Sequence, residues 1–128
     1  MVLDHLDAVW RAALAASGDH RVAEDVTTAV LRAAAADATQ EELVRRAVLA
    51  AVRQAPAPAF ARMGGAEREA VALARIAGCP VGEVAAALGI GDGAARRLLT
   101  AGLRAIRHRP ASVPRTPRPA LGCGSAAS

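Results

Sequence analysis

The chain has no lysine, no tyrosine and only two aromatic side chains, Trp10 and Phe60. With few β-branched runs and a hydrophobic content carried by alanine, this composition favours helix almost throughout, and no sheet is expected. Two cysteines, Cys79 and Cys123, are too few for a secreted disulfide framework. Cys79, beside Pro80, is expected as a small buried apolar residue. His5, His20 and His108 are scattered, with no Cys or acidic partner at ligand spacing, so neither a metal nor a cofactor is expected. No run approaches the roughly 20 apolar residues that span a bilayer, and the opening MVLDHLD carries acids where a signal peptide carries bases. A cytoplasmic protein without a membrane partner is expected.

All 16 basic residues are arginines, and they are unevenly placed. Residues 1–54 hold six against eight acids, net −2, whereas residues 55–128 hold ten against four, net +6. After Asp92 there is no acid at all, so the last helix and the tail form a wholly positive segment of the kind that attracts a polyanion.

At 128 residues the chain holds one ordinary domain or two very small ones. Leu3, Leu6, Trp10, Ala13, Leu14 and Ser17 form one stripe of a first helix, about Leu3 to Ala16, with Trp10 as its anchor. Gly18 ends it and Asp19 caps a second helix with apolar positions Val22, Val26, Ala29, Val30 and Ala33. Thr39-Gln40-Glu41-Glu42 is a capping box opening a third helix to about Gln54. That helix buries Leu43, Val44, Ala47, Val48 and Ala51 and leaves Arg45, Arg46 and Arg53 to solvent. Pro56, Pro58 and Gly64-Gly65 mark a linker over 55–65, with Phe60 and Met63 tucked against one of its neighbours. The tail 110–128, rich in proline and small residues, is expected to be disordered. The fold class is all-α: two small helical units, 1–54 and 66–109, joined by a Pro/Gly linker.

The second unit reads as a helix-turn-helix. A helix from Ala66 to Ala77 stops at Gly78 and Pro80; a short one follows over Val81 to Leu88; Gly89-Ile90-Gly91 turns; and a longer helix opens at Asp92. In that helix Ala95, Leu98, Leu99, Gly102, Leu103 and Ile106 recur at three- and four-residue spacing, and Arg96, Arg97, Arg104 and Arg107 fall largely off the stripe. Such a pair lets the second helix lie in a major groove of double-stranded DNA while its partner crosses the backbone. The alternative is a plain three-helix bundle with a solvated arginine face. The candidate DNA-contacting residues are Asp92, Gly93, Ala94, Arg96, Arg97, Thr100 and Arg104. Ala94 offers a thymine methyl only an apolar contact, and Arg96 and Arg97 are expected on phosphate, where half or more of protein–DNA hydrogen bonds go.

Several motifs in this order resemble bacterial sigma factors of the extracytoplasmic-function type: Arg68-Glu69-Ala70, Glu83-Val84-Ala85, Leu88-Gly89-Ile90, Asp92-Gly93 and Ile106-Arg107. Upstream, Gly18-Asp19, Ala23-Glu24-Asp25-Val26 and Leu31-Arg32-Ala33 are similar to that family's polymerase-binding helix. The resemblance, over about residues 3–109, implies a transcription factor that binds promoter duplex DNA through 66–109 and contacts RNA polymerase core through Glu24, Asp25, Thr28 and Arg32. The aromatic residues with which that family stacks unpaired bases are absent, residues 33–37 being Ala-Ala-Ala-Ala-Asp. The alternative is a stand-alone regulator, dimeric on a paired site, or an interaction module for polymerase or an anti-sigma partner without promoter-melting activity. An enzyme is not expected: Glu24-Asp25 and Glu41-Glu42 sit on first turns, where acids complement the helix dipole, and no base, nucleophile and orienting group converge.

Overall fold

The computed structural model describes residues 5–107, which form helices and no strand. In order these are α1 (Leu6–Ser17), α2 (His20–Ala33), α3 (Gln40–Gln54), α4 (Pro58–Ala61), α5 (Gly65–Arg75), α6 (Val81–Leu88) and α7 (Asp92–Arg107). None is long and apolar enough to cross a membrane. Leu3, His108, Cys123 and the tail 110–128 lie outside the described residues.

The stop and start signals act as their chemistry requires. Gly18 takes the left-handed conformation, φ 67°, and closes α1 by donating its N–H to the Leu14 carbonyl at 2.7 Å. The Asp19 carboxylate accepts from the Arg21 and Val22 amides at 2.8 and 3.2 Å and caps α2. At α3 both arms of the capping box are made: the Glu42 amide donates to Thr39 Oγ1 at 3.2 Å and the Thr39 amide to Glu42 Oε1 at 3.0 Å. That amide holds the Glu42 carboxyl below its ordinary range. A depressed carboxylate stabilises the fold above its unfolded pKa and loses that contribution as pH falls through the folded value. In thermal melts the advantage of the wild type over Glu42→Gln should therefore be full at neutral pH and vanish as the solution is acidified below about pH 4.

α1 packs on α2 and α3, α3 on α5, and α5 on α7, α6 and α4. One apolar cluster runs through all of these contacts. Its largest fully buried members are Leu43, Leu73, Val9, Val26, Val48, Val52, Val71 and Val84. Along α5, Ala70, Val71, Ala72 and Leu73 are consecutive and all buried, which marks the helix enclosed by its neighbours on every side.

The buried face of α1 is not the one its largest side chains suggest. Val9, Ala12, Ala13, Ala16 and Ser17 are buried, whereas Leu6 is 45% exposed. Trp10 is half-buried, its ring edge-on to His20 at 5.5 Å. α1 is covered by both α2 and α3, and close approach on two sides is met by alanine and valine better than by leucine and tryptophan. The same rotation recurs in α2, where Ala23 and Thr27 are buried and Ala29 and Ala33 are exposed.

The segment between α3 and α5 is held at several points. The Ala57 amide donates to the Ala16 carbonyl at 2.9 Å, tying it to the end of α1, and Phe60 and Met63 are buried. The Arg68 guanidinium then gathers the carbonyls at the end of α4: Nε donates to Phe60 O at 3.1 Å, and Nη2 to Ala61 O at 3.3 Å and Met63 O at 3.0 Å. Arg68→Ala removes the donor from the Ala61 and Met63 carbonyls, Phe60 O keeping the Met63 amide, and is expected to cost about 2 kcal/mol in chemical denaturation. Arg68→Lys should recover only part of this, because an ammonium lacks the planar fork.

Two ion pairs join the first three helices to the last three. Arg53 grips Glu69 through both guanidinium edges, Nε to Oε2 at 2.8 Å and Nη2 to Oε1 at 2.9 Å, between α3 and α5. Arg45 reaches from α3 to Glu83 on α6 at 3.4 Å. Arg53 and Arg45 are thus engaged across the chain, and Arg46 alone of the three arginines foreseen on the outer face of α3 has no partner among the described contacts.

Candidate nucleic-acid interface

The turn that orients α7 is built by backbone geometry. Gly89 has φ 69°, and after α6 its N–H donates to the Ala86 carbonyl at 3.3 Å while the Ile90 N–H donates to the Ala85 carbonyl at 3.0 Å. This pair of bonds is a Schellman closure, which needs a residue tolerant of positive φ at its centre. Ile90 packs half-buried against the core as the apolar member of the motif. The first bond of α7 then runs from the Ala95 amide to the Gly91 carbonyl at 3.0 Å. At the other end of α6 the Glu83 and Val84 amides both donate to the Pro80 carbonyl at 3.0 Å. Cys79, just before this corner, is buried, and burial pushes its thiol pKa upward.

α7 is sharply two-sided. Gly102 is buried against α5, Ala95 is buried too, and Leu98, Leu99, Leu103 and Ile106 are half-buried on the same stripe. Asp92, Gly93, Arg96, Arg97, Thr100 and Arg104 are exposed, and Ala94 is half-buried. Arg97, Thr100, Arg104 and Arg107 follow one another at three- and four-residue steps and so share one outward line. The Arg97 guanidinium lies back over Gly93, with Nη1 3.7 Å from where a Cβ on Gly93 would stand. Thr100, Leu103, Arg104 and Arg107 border a shallow hollow of about 300 Å³. Beyond Asp92 no acid interrupts this line, and with the neighbouring exposed Arg96 four guanidinium groups face solvent from α7.

The second set of candidates lies on α2. Glu24, Thr28 and Arg32 recur every four residues on its exposed side, with Asp25 next to them, opposite the buried Ala23, Val26, Thr27 and Val30. The two sets occupy different helices, α2 packing on α1 and α3 and α7 on α5 and α6. None of these residues, on either helix, is needed by the core. The charged residues of the Arg68-Glu69-Ala70 motif, by contrast, are engaged within the fold, Arg68 on α4 and Glu69 on Arg53. What sequence periodicity missed is Arg45: its partner Glu83 lies 38 residues away, a distance no local pattern reports.

Comparison of the chain with family models, curated proteins and solved structures returned no match.

Proposed function

We propose that this chain is a sigma-like transcription factor that grips duplex DNA with α7 and presents the outer strip of α2 to RNA polymerase core. The observation that carries the DNA half is the outward line of α7: Arg96, Arg97, Arg104 and Arg107 exposed around Thr100, on a helix that follows α6 through a short glycine turn. A helix with this charge on its free side, held on a scaffold by its other side, suits entry into a major groove, with arginines reaching phosphates on either side. Arg96 and Arg97, near the start of the helix, are the residues placed to meet base edges or adjacent phosphates. Apart from Asp92 at its start, the rest of the exposed side is glycine, alanine and threonine, so this surface grips better than it discriminates. For the polymerase half, the support is the exposed Glu24, Asp25, Thr28 and Arg32 strip, which matches the order of the resembling motif.

Binding of a labelled duplex followed across a salt series tests the DNA half. If the four arginines of α7 each neutralise a phosphate, they contribute a slope of about −3.6 to log K against log salt. Replacing them with glutamine should flatten the dependence by that amount; an unchanged slope would sink the assignment.

A second reading, a regulator or interaction module that does not open promoters, is favoured by the state of the aromatics. Phe60 is buried, Trp10 is half-buried against His20, and residues 34–39, which join α2 to α3, carry only alanine, aspartate and threonine. No side chain there offers a face to an unpaired base. Run-off transcription with core polymerase separates the two readings: transcripts support an initiating factor, and duplex binding without transcripts supports the regulator.

A further inference from the structure

In helix-turn-helix docking the first helix of the pair crosses the sugar-phosphate backbone, yet α6 has no cation with which to do so. Its sequence, VGEVAAAL, carries a single charge, the acid Glu83. Gly82, Glu83 and Ala86 are exposed on its free side, and a Cβ added at Gly82 would meet nothing within 4 Å, so a polyanion can approach this helix closely. The positive charge arrives from the other half of the chain. Arg45 of α3 extends to α6, where its Nη1 lies 3.4 Å from Glu83 Oε1, and with Glu83, Ala86 and Ala87 it borders a hollow of about 400 Å³. Glu83 takes one of the five donors of the guanidinium and the neighbouring Cys79 thiol draws on another, which leaves the remaining donors for a ligand.

We propose that Arg45 is a phosphate contact of the DNA-bound protein. A backbone phosphate crossing α6 seats in the hollow over Ala86 and Ala87 and takes the free donors of Arg45, while Glu83 holds the guanidinium in place from the other side. The inference rests on the DNA-binding reading and extends it: the interface is completed by a residue of α3, outside the helix-turn-helix. It also gives the packing of α3 against α5 a role, since that packing sets where Arg45 stands relative to α6 and α7.

The test uses the full chain and a fluorescently labelled mixed-sequence DNA duplex, with anisotropy read across a salt series and each variant checked for a wild-type melting transition. Arg45→Gln should make log K against log salt shallower by about 0.9, the loss of one phosphate contact, as should Arg104→Gln on α7. The double variant Arg45→Gln/Glu83→Gln should remain shallow. Glu83→Gln alone keeps an acceptor for Arg45, removes a negative charge from beside the phosphate and should bind more tightly at low salt. A wild-type slope in Arg45→Gln, or its return in the double variant, overturns the proposal, the latter because Arg45 would then act only by neutralising Glu83. Weaker binding by Glu83→Gln also overturns it. If Arg104→Gln flattens the slope and Arg45→Gln does not, this inference alone fails. If the wild type shows no salt-dependent binding, the DNA reading fails with it.

Discussion

Leu73→Ala is expected to lower the stability of the fold by about 3–4 kcal/mol, and Leu43→Ala by a similar amount. Both side chains are fully buried, and they are the only leucines in a set of large buried residues that is otherwise valine. A core built of alanine and valine has many small contacts and few large ones, so each leucine carries an unusual share of the apolar area removed from water. Leu73 stands at the end of the Ala70–Leu73 stretch of α5, enclosed on all sides, and its removal leaves a cavity that short alanine side chains cannot collapse to fill. Set against a total of about 5–15 kcal/mol for a domain, either loss is large, and the double variant should be unfolded without denaturant. Leu6→Ala is the contrasting case. Leu6 is 45% exposed, so its truncation should cost less than about 0.5 kcal/mol. Urea titrations of the three single variants give the comparison, and a Leu6→Ala loss as large as that of Leu73→Ala would contradict the burial seen here.

That contrast also marks where the sequence was legible and where it was not. Features fixed by a few neighbouring residues could be read directly: the all-α class, the Asp19 and Thr39–Glu42 caps, the Gly89 turn, the limits of α6 and the start of α7. Each depends on hydrogen bonds closed within about six residues, which is the range over which a pattern in sequence is a pattern in space. The face that α1 buries was not legible, because it depends on two helices approaching at once, and periodicity weighted by side-chain size favours Leu6 and Trp10 over Val9 and Ala12. The docking of residues 55–64 was visible only in part. Phe60 and Met63 announce burial by their chemistry, but the Arg68 clasp on the end of α4 is known only once α4 and α5 are folded. Within the candidate site the outward line of α7 followed from spacing alone, whereas Arg45 depends on how α3 lies across α6.

Gly102 is the point at which scaffold and site meet, and its replacement should reverse the usual sign of a glycine-to-alanine change. In an exposed helix interior that substitution stabilises by about 1 kcal/mol. At Gly102 a Cβ would stand 2.3 Å from Val71 Cγ2, 3.4 Å from Met63 Sδ and 3.6 Å from the Glu67 carbonyl oxygen. Val71 is fully buried and β-branched, so it cannot swing aside, and the strain falls on the packing of α7 against α5. Gly102→Ala is therefore expected to destabilise by about 2 kcal/mol net of the propensity gain. If the clash with Val71 is the cause, Gly102→Ala/Val71→Ala should be more stable than the sum of the single losses predicts, with a coupling of about 1 kcal/mol or more. A Gly102→Ala protein more stable than the wild type would show that the helices are not this close. The same variant bears on function, because α7 relieves the clash by moving outward and carries Arg96, Arg97 and Arg104 with it. On the proposed DNA-binding reading, duplex affinity should fall in Gly102→Ala under conditions where it remains folded, and recover in the double variant, where the space for the new methyl group is restored.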